Sequence, residues 1–331
     1  MNWTRALALC CLLVSSVLVA GPALAGQQPP KVDRIVLIVM ENQEESNILT
    51  TSPQASRTPL LRQLAQGQRV ATNYYGVTHP SEPNYISMIG GDHFGIQSDH
   101  PSCFTSTLKL HCNSSDAPNL IDSLEEKHIP WTALMQSMPG PGYLRSAYFF
   151  TSTYAEKHNP LVYFSDIAHN PQRMAHIKPI GAPDTVSQYF ADAATAPRFV
   201  LLVPDLCHDM HGAPSCSEKD ELYKASDEYV ASVIKRIVAS PAFTENSVII
   251  VTWDEGSTDL ACCGLASGGG RVAAIVIKKH AVAFRSPVSY NHYSLLNTIE
   301  TVWNLKRVGR TNERNPNGTF RFAPMLDLLA H

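Results

Sequence analysis

The amino-acid sequence predicts an α/β fold: a central, mostly parallel sheet with helices on both faces. Two observations carry that expectation. Short runs rich in Val, Ile and Leu alternate with segments of helical period, the pattern of a sheet buried on both sides. Three of the runs end in clusters of acids, amides or histidines, and in open α/β sheets the ligand crevice lies outside the carboxyl ends of the strands.

The expected strands are, in chain order, Arg34 to Met40, Val70 to Val77, Trp131 to Met135, Phe199 to Val203, Ser247 to Trp253 and Val272 to Ile277. Between them, Thr58 to Ala65, Asn84 to Ile89, Ala117 to Lys127, Thr185 to Ala194 and Leu222 to Val238 read as helices. In the last of these, Tyr223, Tyr229, Val230, Val233, Ile234 and Ile237 recur at helical spacing. A final helix is expected over His292 to Leu305. Gly91 to Cys112 is rich in Gly, Ser, Asp and His, and Pro139 to Pro179 is irregular with scattered aromatics, so both read as long loops near a site.

Arg5, the apolar run Ala6 to Ala20 and the small-x-small triplet Ala23-Leu24-Ala25 have the layout of a secretory signal peptide over residues 1–25. A single domain over 26–331 follows, with about 300 residues to bury its core. The apolar run is shorter than the roughly 20 residues that cross a bilayer, and no later segment matches that length, so no membrane span is expected in the mature chain. The expected location is secreted or periplasmic. Cleavage removes Cys10 and Cys11 and leaves Cys103, Cys112, Cys207, Cys216, Cys262 and Cys263, an even number in an oxidising compartment. Spacing favours Cys103 with Cys112 and Cys207 with Cys216, with Cys262-Cys263 as a vicinal bridge, but six cysteines allow fifteen pairings. A zinc or redox site is the competing reading. A net charge of -3 shows no basic excess and so gives no reason to expect nucleic acid as a partner.

The chemistry-bearing residues follow the strands. Glu41 and Asn42 close the run ending at Met40, and a carboxylate and an amide oxygen both suit hard metal ions, although a polar turn has the same composition. Ser81 stands between a strand and a helix, where it is either a helix cap or a nucleophile beside free backbone N–H groups. Asp205, His208, Asp209 and His211 crowd into seven residues after a strand, a mixed carboxylate and imidazole set that points to metal binding or to a hydrophilic loop. Asp254 and Glu255 would repel each other unless a cation neutralised them or both were solvated. His292 either opens the last helix or completes a metal shell.

The strings IVMENQE, THPSEPNYISMIGGD, KHNPLVYF, PDLCHDMH, VTWDEG and YNHYSLLNTIE occur in that order over nearly the whole mature chain. Together they resemble the phosphoesterase family of acid phosphatases and phosphocholine-type phospholipases C, part of the alkaline-phosphatase-like superfamily. The resemblance implies that fold and hydrolysis of phosphoric esters. It implies Ser81 as nucleophile, since Ser81-Glu82-Pro83-Asn84 is similar to the T-x-P-N signature of related pyrophosphatases, with Asn84 donating to the phosphoryl oxygens. Lys157 and His158 would bind phosphate or protonate the leaving group. Glu41, Asn42, Ser81, Asp254 and Glu255 would hold a divalent metal ion, which could be Mg, Ca, Mn or Zn.

Asp205, Asp209, His211 and His292 fall where two-metal relatives hold a second ion. In those relatives a histidine follows the Pro-Asp acid by four positions, whereas Asp209 stands there in this chain, so one ion is expected rather than two. The implied function is a secreted, metal-dependent phosphomonoesterase of the acid phosphatase type, working through a phosphoserine and taking a small phosphate ester. A phospholipase C-type diesterase acting on a phospholipid head group is the alternative. A secreted protein that binds phosphate or sugar without catalysis is the alternative of another class.

Overall fold

A computed structural model describes residues 28–50, 57–105, 111–145 and 153–330. The expected signal peptide lies outside these residues, as do parts of both long loops.

Eight strands form one sheet in the order β4-β3-β5-β1-β6-β7-β2-β8. They are β1 (Arg34–Met40), β2 (Arg69–Tyr75), β3 (Trp131–Gln136), β4 (Ile177–Ile180), β5 (Phe199–Val203), β6 (Ser247–Trp253), β7 (Arg271–Lys278) and β8 (Phe284–Asn291). β7 runs antiparallel to β6 and β2, and the other neighbours pair in parallel. Every residue of β1, β5 and β6 is buried, which is why these segments read as continuous apolar runs and not as alternating ones.

The six expected strands all form, within two residues of their expected ends. β4 and β8 were not anticipated. Both are edge strands, and both contain a proline, Pro179 and Pro287, which an edge tolerates because an N–H facing away from the sheet is not needed.

The principal helices are α1 (Pro59–Gly67), α2 (Ser81–Gly90), α3 (Leu120–Glu126), α4 (Lys219–Val238) and α5 (His292–Val302). The aromatic and aliphatic residues expected to line one face of α4 are all buried, each contributing about 1.5–3 kcal/mol. Asp227 of α4 also accepts from the free backbone N–H groups of Leu60 and Leu61 at the start of α1, both at 2.8 Å, which fixes one helix against the other. One expectation is corrected: the stretch read as a helix over Thr185 to Ala194 is a 3₁₀ helix over Pro183–Phe190. Thr185 donates its hydroxyl to the Ala182 carbonyl, a local bond that competes with α-helical pairing.

All six cysteines within the described residues are paired, Cys103 with Cys112, Cys207 with Cys216 and Cys262 with Cys263. That leaves no thiolate among them for zinc or redox chemistry.

The topology gathers the polar strand ends on one edge. β1 pairs in parallel with both β5 and β6, and Met40 lies opposite Trp253, so Glu41 and Asp254 emerge side by side. Asp254 donates its backbone N–H to the Met40 carbonyl at 3.0 Å, and Glu41 donates to the Asp209 carbonyl at 2.9 Å. The chain leaving β2 reaches the same edge through Gly76. A Cβ there would stand 2.9 Å from the Asp254 carbonyl oxygen and 2.8 Å from that of Gly269, so only glycine admits this approach.

Candidate active site

Ser81 is the first residue of α2 and is almost fully buried. The cap alternative does not hold, because Pro80 occupies the cap position and no side chain caps this helix. The Ser81 hydroxyl lies instead among strand-end groups, with Glu41 Oε2 at 3.0 Å and Glu255 Oε1 at 3.2 Å as acceptors and the Asn42 amide donating to it from 3.4 Å. Asn42 bridges the two sides. Its amide also donates to Glu41 Oε2 at 3.0 Å, and its backbone N–H donates to Asp254 Oδ1 at 3.0 Å. It takes a left-handed backbone with φ 46, which asparagine accepts better than most residues.

Behind the hydroxyl, His158 lies between two carboxylates, with Nε2 3.2 Å from Glu41 Oε1 and Nδ1 3.2 Å from Asp209 Oδ2. These are ion-pair distances without hydrogen-bond alignment. Glu41 Oε1, Asp209 Oδ2, Asp254 Oδ2 and His158 Nε2 are all buried with no hydrogen-bond partner among the described residues. Buried carboxylate oxygens left unpaired cost several kcal/mol each unless protonated or neutralised. Burial, reinforced by neighbouring acids, pushes the Glu41 and Asp254 carboxyls far up, and burial does the same to Asp209. Burial and the adjacent Asp254 move Glu255 to about 8.

A divalent cation fits this donor set, because it would satisfy the orphaned oxygens and return the acids to their ionised form. Glu41, His158 and His211 each offer a ligand atom, all within 4.8 Å of one another. Carboxylates favour Mg, Ca or Mn and imidazoles favour Zn, so the set admits either kind of ion.

Lys157 faces the same space. Its ammonium lies 2.9 Å from Asp99 Oδ2 and 3.3 Å from His211 Nε2. Burial works against its charge, but Glu41 and Asp99 outweigh burial and hold it protonated. His211 donates from Nδ1 to the Gly212 carbonyl at 2.9 Å, which leaves Nε2 as an acceptor, and desolvation lowers the ring's pKa from the usual imidazole value. Asp99 reaches both sides of the site, since its Oδ1 accepts the Glu82 backbone N–H at 3.0 Å. Glu82 itself is buried and its carboxyl is raised to about 9 by that burial, so the residue following Ser81 brings no negative charge at neutral pH.

Three residues expected at the site have other tasks. Asn84 was expected to donate to a phosphoryl oxygen. Its carbonyl instead accepts from the backbone N–H groups of Val77 and Thr78, and its amide donates to the carbonyls of Thr78 and Pro80. The side chain is used up in shaping the turn that presents Ser81. Asp205, expected as a ligand, accepts from Ser137, Thr153, the Cys207 backbone and His208, an anchor for the loop that follows. His292 was expected in a second metal shell, but Nε2 donates to the Asp254 backbone carbonyl and Nδ1 accepts from the Tyr74 hydroxyl at 3.0 Å. Both ring nitrogens are occupied, and burial holds the ring neutral with its pKa lowered to about 4.

Sequence reasoning missed His79 and Asp99. His79 bonds through Nδ1 to Glu255 Oε2 and through Nε2 to the Thr258 carbonyl at 3.1 Å, which makes it the brace behind a carboxylate that touches Ser81. Its place two residues before Ser81 was the available signal. Asp99 had none, lying in a polar loop with nothing local to mark it.

The Phosphoesterase family model matches residues 39–306. The chain is 28% identical over 286 residues to the phosphate-repressible acid phosphatase of Penicillium chrysogenum, covering 84% of this chain and 60% of that one. It is 25% identical over 330 residues to the phosphatidylinositol-3-phosphatase of Mycobacterium tuberculosis, covering 94% and 92%. The chain thus spans about three-fifths of the fungal acid phosphatases it matches first and nearly all of the mycobacterial protein. Among solved structures, a Vibrio parahaemolyticus protein of the alkaline phosphatase superfamily superposes with TM-score 0.54 at 13% identity, covering 87% of this chain and 74% of that one. A sulfatase from Pseudoalteromonas sp. gives 0.53 at 12% identity, covering 92% and 72%. These two likenesses bear on the fold alone. With the family match spanning most of its length, and with the sheet edge and polar cluster just described, this chain belongs to the Phosphoesterase family.

Proposed function

We propose that the protein is an exported, metal-dependent phosphomonoesterase of the acid phosphatase type, with Ser81 as its nucleophile. The observation that carries this reading is the Ser81 hydroxyl, buried between Glu41 and Glu255 beside carboxylate oxygens that have no hydrogen-bond partner among the described residues. Two flanking carboxylates alone would keep the proton on that oxygen, so the arrangement serves a nucleophile only with positive charge beside it. Glu41, Asn42, Asp254 and Glu255, with His158, Asp209 and His211 adjoining, would hold a divalent cation. Bound there, the cation supplies Lewis-acid chemistry, lowering the pKa of the hydroxyl and neutralising charge on the phosphoryl oxygens.

Ser81 gives up its hydroxyl proton to solvent as Oγ attacks phosphorus, the bond to the ester oxygen breaks, and the alcohol departs with a proton taken from solvent water. Water then attacks the phosphoserine, releases inorganic phosphate and restores the hydroxyl. Lys157, held as an ammonium, binds the phosphoryl oxygens and does not supply the proton. Asn42 orients Ser81, and Asn84 and His79 hold the two segments that converge on it. The paired cysteines and the N-terminal pattern support export.

The test is hydrolysis of para-nitrophenyl phosphate and of its phosphocholine diester, by the protein and by Ser81→Ala, with and without chelator and added divalent metals. Preferential monoester hydrolysis that chelation removes and the variant lacks is expected, with kcat falling about 10³-fold or more. Preference for the diester would establish the phospholipase C-type reading. Undiminished activity of the variant would overturn Ser81.

A further inference from the structure

A cleft of about 420 Å³ opens beside the reaction centre, and its lining includes Asn42 and His211. Both belong to the site already described, since the Asn42 amide points at Ser81 and His211 Nε2 faces Lys157. The cleft therefore adjoins the reaction centre through these two residues, within reach of the part of an ester that extends past them. The size suits a ring-bearing group, being within the usual range for small-molecule sites.

The walls define its chemistry. Met210, Leu222 and Tyr223 supply an apolar surface. Tyr223 is fixed in place, donating its hydroxyl to Gln43 Oε1 while the Arg57 guanidinium sits 5.6 Å from its ring centroid. Gln43 Oε1 also accepts from Asn47 at 3.1 Å, so the group that Gln43 can offer a ligand is its amide N–H, a donor. Among the described residues, the ionic side chain on the lining besides the imidazole of His211 is Lys219. Its neighbour Asp220 is paired with Arg57 at 2.6 Å, and Glu218 and Glu221 line the adjoining cleft on the far side of Ser217 and Leu222. No carboxylate lines the space among the described residues.

We propose that this cleft binds the alcohol portion of the ester and selects a flat, apolar body that ends in a neutral or anionic acceptor over one that ends in a cation. The inference rests on the phosphomonoesterase reading and narrows its substrate class. The Gln43 amide and the Lys219 ammonium both meet acceptors favourably, whereas a quaternary ammonium would face the lysine with no carboxylate on the described lining.

The experiment compares kcat/KM for methyl phosphate, phenyl phosphate, 4-carboxyphenyl phosphate and 4-(trimethylammonio)phenyl phosphate, using the protein, Ser217→Trp and Lys219→Glu. Ser217 is an exposed residue of the lining, so a tryptophan there fills the cleft without entering the core. Because each variant is referred to the unaltered protein on the same ester, intrinsic leaving-group reactivity cancels. Ser217→Trp is expected to lower the phenyl-to-methyl ratio of kcat/KM roughly tenfold. Lys219→Glu is expected to shift the ratio of the carboxy to the trimethylammonio ester several-fold toward the cation, on the order of five. Unchanged ratios in both variants would overturn the cleft assignment while leaving the phosphoesterase reading intact. Failure of the unaltered protein to hydrolyse any of the esters in the presence of divalent metal would overturn both.

Discussion

The ends of β1 and β6 and the loop after β5 look alike in sequence, each a cluster of acids with an amide or histidine, yet the fold uses them differently. Glu41, Asn42, Asp254 and Glu255 all meet at Ser81 or at one another. In the loop after β5, Asp209 and His211 turn to the site while Asp205 and His208 turn away, paired at 2.7 Å. The difference lies in the backbone. β1 and β6 are adjacent parallel strands in register, so the residues that follow them have one crevice to enter. The loop after β5 turns back on itself within a disulfide, with Met210 at φ 83, and a turning chain points successive side chains in opposed directions. Density of ligand-type residues therefore marks a site, but strand register decides which of them serve it.

The largest effect that would sharpen this contrast is a matched pair of substitutions. Asp254→Asn should lower kcat by about 10²-fold or more, since it removes a buried charge next to Ser81 and a favoured cation ligand. Asp205→Asn should leave metal dependence in place and lower thermal stability by about 1–3 kcal/mol through the loss of charge-assisted bonds. If Asp205→Asn instead abolished activity without destabilising the fold, the division of the loop would be wrong.

A smaller effect is expected at His79. His79→Ala frees Glu255 on the side away from Ser81 and should cost roughly ten- to hundredfold in kcat with little change in KM, the signature of misplacement and not of lost binding. His79→Asn keeps a donor toward Glu255 and should recover part of that loss. Equal effects on kcat and KM, with no recovery, would indicate that His79 contacts substrate.

Asn84 separates shaping from chemistry. Asn84→Ala leaves the Val77 and Thr78 N–H groups without their acceptor and should destabilise the protein by about 2–4 kcal/mol, read from a denaturant midpoint. An undisturbed midpoint with a large fall in kcat would return Asn84 to the role of phosphoryl donor.

A separate effect, read against pH, concerns Glu82. Its folded pKa of about 9 lies above the ordinary 4.5, so the folded protein holds a proton that the unfolded chain releases between those values. The carboxyl's contribution to stability is thus fully present below about pH 4.5 and is lost as pH rises toward 9. Glu82→Gln, neutral throughout, should match the unaltered protein at acidic pH and become progressively the more stable of the two up to pH 9. A constant difference across that range would show that Glu82 is ionised in the folded state.

The sequence by itself determined the sheet's interior and most of the residues at its edge. Runs such as RIVLIVM and SVIIVTW are apolar throughout because both faces of their strands are covered, and that signal is local. The edge strands β4 and β8 were not legible, because a strand with one neighbour and solvent on its other side has no need of a continuous apolar run. Tertiary structure alone decided the roles. His158, read as a proton donor or phosphate ligand, stands between Glu41 and Asp209, which lie far from it along the chain. His79 and Asp99 matter through Glu255, Lys157 and Glu82, partners that no spacing in the sequence announces. Asn84 and His292 have all their hydrogen-bonding capacity taken by neighbours. Residue type shows what a side chain can bind, but which partners exhaust that capacity depends on chain segments brought together only by folding.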